Sequence, residues 1–183
     1  MDRRKIVPVY QRMLKRDYLQ GVKSRLENDV KVYIEAIEQE ATRGRFVGFF
    51  GIIRLLMPTV EAIATTVYRG ERRTQRLLEK LGFEYPELVW QSFRHSLMHN
   101  DHLGEIRYRG HRITWGTSIT GMDHIMAHGQ IHIDSKRLYE DLITFLDSEI
   151  AATSSTHVYV KVGVKYRSKV SKRIKSQAKS VLA

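Results

Sequence analysis

The chain has 183 residues and no cysteine, so it can bury a single-domain core and excludes disulfides and thiolate metal sites. Its net charge is +11, and the excess is uneven. Residues 158–183 hold eight of the 31 basic residues and none of the 20 acidic ones, which points to a polyanionic partner, nucleic acid or an anionic membrane surface.

The opening MDRRKIVPVY lacks the apolar core and small-residue cleavage site of a secretory leader, so a cytoplasmic setting is expected. Tyr10, Leu14, Tyr18, Val22, Leu26, Val30, Ile34 and Ile37 recur every four residues. That spacing predicts one long amphipathic helix, bent near Gly21 and stopped at Gly44. A second helix is expected over Phe46 to Tyr68, apolar on most faces and therefore central. Arg54, Pro58 and Glu61 argue against its crossing a membrane, and Pro58 is expected to kink or split it. A short basic helix follows from Glu71 to Leu81, stopped by Gly82. A fourth opens at Pro86, a residue suited to the first helical position, and ends near Asn100.

The period then changes. Ile106 and Tyr108 alternate with Arg107 and Arg109, and Ile113, Trp115 and Thr117 alternate with Arg112, Thr114 and Gly116. This predicts a hairpin near 105–119. Ile131 and Ile133 suggest another strand. Asp134 or Ser135 then caps a helix carrying Leu138, Leu142, Phe145, Leu146 and Ile150. Val158 to Tyr166 alternates as a strand. Beyond it Val170, Ile174, Ala178 and Val181 share one face of a basic helix with Lys169, Lys172, Arg173, Lys175 and Lys179 around it. The expected fold class is α+β, predominantly α: a helical domain over 1–153 with a small appended antiparallel sheet, and a basic strand-plus-helix extension over 154–183.

Six of the eight histidines lie between His99 and His132, with His95 just before them. The fourth helix reads Trp90-Gln-Ser-Phe93-Arg94-His95-Ser-Leu-Met-His99-Asn100-Asp101. An imidazole near its working pH can take the proton of an RNA 2′-hydroxyl. A guanidinium can hold the charge that builds on the phosphoryl oxygens. In an ideal α-helix, however, Arg94 and His99 lie about 140° apart. His95, His99 and His102 sit closer to one face, so a histidine metal site is a rival, as is the pair His124 and His128. An Arg–His pair late in a helix can also merely cap carbonyls and pair with Asp101 or Glu105. Arg107, Arg109 and Arg112, beside Tyr108 and Trp115, either track an RNA backbone or are a solvated strand face over core aromatics.

The stretch Phe93-Arg94-His95-Ser96-Leu97-Met98-His99 resembles the signature of the HEPN superfamily (higher eukaryotes and prokaryotes nucleotide-binding), an Arg, usually followed by a polar residue, then a His after four to six intervening positions, late in a helical bundle. The resemblance covers roughly Met1 to Ile150 and leaves out the C-terminal strand and basic helix. It implies a metal-independent endoribonuclease with no cofactor, working on RNA as a homodimer in toxin–antitoxin or other defence systems, with a cognate antitoxin protein as a further expected partner and no membrane. Carried over, Arg94 binds the scissile phosphate, His99 is base or acid and His95 orients the site. Arg107, Arg109, Arg112, Lys169, Lys172, Arg173 and Lys175 are the expected RNA contacts. Some relatives of that kind only bind nucleotides or partners, so an inactive RNA-binding module is the main alternative. A histidine-ligated metal enzyme and a membrane-surface protein held by the basic helix stand behind it.

Overall fold

The computed structural model describes residues 6–45, 48–95, 106–108, 111–127, 129–153 and 155–166. In chain order these form β1 (Ile6–Leu14), α1 (Lys15–Arg25), a π-helical turn (Leu26–Val30), α2 (Lys31–Thr42), α3 (Phe49–Val67), α4 (Arg73–Lys80) and α5 (Pro86–Val89). A second π-helical turn (Trp90–His95) comes next, then β2 (Ile106–Tyr108), β3 (His111–Ser118), β4 (Ile125–Ala127), β5 (Gln130–Asp134), α6 (Ser135–Ala152) and β6 (His157–Tyr166). The class is α+β with mostly helical content, as the alternation of periods indicates. The basic helix expected after Tyr166 lies outside the described residues.

Two compact units are present, one comprising 1–14 with 157–183 and the other 15–156. The first fourteen residues thus group with the C-terminal extension. The cause is β1, which pairs antiparallel with β6 from Ile6↔Tyr166 to Leu14↔His157. The expected helix thus starts at Lys15. Tyr10 and Leu14 misled the reading because a spacing of four keeps two residues on one face of a strand as well as of a helix. Pro8 fits this ribbon, since a strand in a two-stranded pair has an edge that needs no N–H. The register slips by one residue between Val9 and Tyr10.

In the larger unit the rest of the stripe holds: Val22, Leu26, Val30, Ile34 and Ile37 are buried, joined by Leu19. The departure from regular α-helix falls at Leu26–Val30 rather than at Gly21. Helix α3 runs unbroken through Pro58 and buries Ile52, Ile53, Leu56, Met57, Val60, Ile63 and Ala64. It packs against α1, α2, α4, α6 and β3, which makes it the axis of the core. Among the described residues it is the one helix long and apolar enough to cross a membrane, with 39% of its most apolar window buried. Gly48 begins it at φ +82°, where a Cβ would come within 2.7 Å of the Ile37 side chain. Only glycine meets both conditions cheaply.

The sheet of this unit has the order β2-β3-β5-β4. It is mixed rather than antiparallel, as had been expected. β2 and β3 form the hairpin, β4 and β5 pair antiparallel, but β3 and β5 run parallel, from Thr114↔Gln130 to Ser118↔Asp134. The reason is that the chain leaves β3, crosses through 119–124 and turns back at β4, so that β5 arrives beside β3 in the same direction. Ile131 and Ile133 point into the core. At the unit's two ends the Lys15 amide donates to the Thr156 carbonyl at 2.8 Å.

Candidate functional site

The motif helix is built from α5 and the π-helical turn after it. Pro86 occupies the first helical turn, Val89 is fully buried, and Glu87 accepts a hydrogen bond from Arg72. From Trp90 to His95 the backbone changes to π-helical register. Hydrogen bonds then run from i to i+5, so residues five apart lie closer to one another around the axis than in an α-helix. Such turns are uncommon and recur at functional sites. Arg94 and His95 close this turn; their side chains, and His99 altogether, lie outside the described residues. Ser92, in the middle of the turn, is 1% exposed, and its Oγ has no hydrogen-bond partner among the described residues. An unpartnered buried hydroxyl costs about 1–3 kcal/mol and calls for a reason.

Of the expected RNA contacts, Arg107 on β2 and Arg112 on β3 are directly opposite in the hairpin register. The Arg112 side chain is exposed. Arg109, Lys169, Lys172, Arg173 and Lys175 lie outside the described residues, as do His102 and His128 of the metal alternatives. Trp115 is partly buried, with its ring edge-to-face with Phe50 at 5.7 Å between centroids.

A second polar constellation is fully described and was only half visible in the sequence. Asp134 ends β5, caps α6 and is 1% exposed. One carboxylate oxygen accepts from the Arg137 amide at 2.9 Å and the Gly121 amide at 3.0 Å. The other accepts from Ser118 Oγ at 2.6 Å, the Thr120 amide at 2.6 Å and Thr120 Oγ1 at 2.9 Å. Burial pushes this carboxyl up, but the bonds from Ser118, Arg137 and Thr120 outweigh it and hold it below the ordinary 3.8. The Asp134 amide in turn donates to His124 Nδ1 at 3.0 Å. That fixes the neutral ring with its proton on Nε2. The ring stacks on Phe83, 4.3 Å between centroids and 13° from parallel. Its Nε2 is buried without a partner among the described residues.

Burial pushes the His124 imidazole below its ordinary 6.5, against the upward pull of Asp141, Asp134 and Asp123. Beside it is a cavity of about 290 Å³ lined by Glu84, Asp123, Met126, Arg137 and Asp141. Arg137 Nε holds both Asp141 oxygens at 3.1 Å. This geometry speaks against the pairing of His124 with His128 on a metal, since one His124 nitrogen already accepts an amide and the other is covered. Among the described residues no group of three or more His, Asp or Glu could hold a metal ion. With this geometry in hand, no family model, no curated protein and no solved structure matches the chain.

Proposed function

We propose that the chain is a metal-independent endoribonuclease of the HEPN type, acting as a homodimer. The observation that supports this best is the π-helical register at Trp90–His95. It closes on Arg94 and His95, where the motif begins, and turns of this kind recur at functional sites. In the proposed reaction His99 removes the 2′-hydroxyl proton as the oxygen attacks the adjacent phosphorus. The bond to the 5′-oxygen breaks, and that oxygen leaves with a proton. Arg94 holds the non-bridging oxygens as charge builds on them. His95 orients the pair. The products carry a 2′,3′-cyclic phosphate and a 5′-hydroxyl. The facing pair Arg107 and Arg112 supplies cation density for the RNA strand. A role in a toxin–antitoxin or other defence system belongs to the same proposal.

The test is cleavage of a labelled single-stranded RNA in excess chelator, with product ends identified. Activity with cyclic-phosphate ends, lost in His99→Ala, is the expected result. Salt-sensitive binding with no cleavage by the wild-type protein would instead make the chain an RNA-binding module. Unimpaired cleavage by His99→Ala would reject the assignment of the residue.

A further inference from the structure

Residues 119–124 link β3 to β4 across the N-terminal end of α6, and both ends of this segment are tied to a single residue. The Asp134 carboxylate holds the first half through Thr120 and Gly121, and the Asp134 amide holds the last residue through His124 Nδ1. Each tie lasts only while its acceptor is unprotonated. The carboxylate accepts from five donors and keeps them while it is ionised. The ring can accept the Asp134 N–H only while Nδ1 has no hydrogen of its own.

We propose that His124 is an acid-released latch: the neutral ring fastens the end of segment 119–124 to Asp134, and protonation detaches it. A proton on Nδ1 sets one N–H against another at 3.0 Å, so bond and charge cannot coexist there. The covered Nε2 offers the cation no compensating partner among the described residues. Once the ring swings out, it meets water and a set of carboxylates that favour its charge. Asp134 and Asp141 face it from the cap and body of α6, Asp123 from its own segment, and Glu84 from the turn after α4. Arg137 on α6 opposes them, although it is already held by Asp141 and lies 3.7 Å from Asp123. Phe83, against the ring face, carries no charge. The other titratable side chain of β5, His132, lies over Gly116 instead. Release therefore uncovers the Phe83 face and opens the adjoining cavity while the Asp134 carboxylate still anchors Thr120, so the segment hinges and does not unfold.

Two readouts on the full chain test this. Nitrogen-15 NMR of the imidazoles should show His124 as the neutral Nε2–H form near pH 7.5 and as the cation near pH 4.5. Hydrogen exchange of the Asp134 amide, corrected for intrinsic rate, should lose at least about tenfold protection over the same range, while Ile53 and Leu56 on α3 keep theirs. His124→Asn places an acceptor oxygen near the Nδ1 position and cannot titrate, so its Asp134 protection should not change with pH. An unaltered ring tautomer with unaltered Asp134 protection down to about pH 4.5 would overturn the latch. So would wild-type pH dependence in His124→Asn. If that variant does not fold, the wild-type ring signal decides alone.

Discussion

Among the described residues there are two π-helical turns, and the side chains they bury differ in kind. In Leu26–Val30 both end residues are buried in the core, while Glu27, Asn28 and Asp29 face solvent and Glu27 lies 3.6 Å from Lys23. In Trp90–His95 the buried side chain among the described ones is that of Ser92, and the turn closes on Arg94 and His95. A widened turn gives up good α-helical hydrogen bonding. Apolar burial offsets that cost in the first turn. The second buries the Ser92 hydroxyl, which has no partner among the described residues. Under the proposed function the same local irregularity serves packing in one place and a reaction in another.

Four outcomes would sharpen or break that contrast, from the largest effect to the smallest. Arg94→Ala should lower the rate of RNA cleavage by about 10²–10³-fold with an unchanged melting temperature; a variant that cuts normally would remove the second turn from the chemistry. Leu26→Ala should cost about 2–5 kcal/mol in urea unfolding and leave activity per folded molecule intact. A cost under about 1 kcal/mol there would mean that the first turn is not held by its core residues. Asp134→Ala should cost at least about 2 kcal/mol, since a helix cap and four further donors lose their acceptor together. Ser92→Ala should leave stability unchanged or raise it by about 1 kcal/mol, because it removes a hydroxyl with no partner among the described residues; a clear loss would show that the hydroxyl is engaged.

Acid should separate two further contributions. The folded His124 has its pKa below 6.5, so the unfolded chain takes up the proton first. Stability is whole above 6.5 and declines as pH falls from there to the folded value. The folded Asp134 lies below 3.8, so its contribution is present above 3.8 and is lost as pH falls through its folded value. Urea midpoints measured across both windows should show two descending steps, and His124→Asn should remove the upper one.

Much of the helical framework could be read from the sequence, because burial every three or four residues leaves a regular trace from Val22 to Ile37 and from Leu138 to Leu146. Gly44 and Gly82, both at positive φ, mark helix ends, and Asp134 caps where an acid precedes an apolar run. Other features had no local trace. β1 was hidden because its partner is β6, near the other end of the sequence. The parallel pairing of β3 with β5 depends on how the chain returns through β4, which is only three residues long. Nothing in a run such as LENDV or WQSFRH specifies a π register. At the motif the residue types were legible, whereas the turn that carries Arg94 was not. The sequence offers His124 only as half of a histidine pair with His128. Its actual partner is a backbone amide ten residues on, a group that no side-chain pattern can announce.

The ribbon of β1 and β6 has a consequence for how the molecule is made. A nascent chain that has finished β1 must grow by roughly 150 residues before β6 leaves the ribosome, about 10–30 s at ordinary rates of translation. Throughout that interval a nine-residue strand containing Ile6, Val7, Val9 and Tyr10 has unpaired amides and carbonyls. Slowing synthesis, or releasing the chain before residue 157, should therefore direct newly made protein into aggregates that chaperones must clear, even though residues 15–156 hold an apolar core of their own.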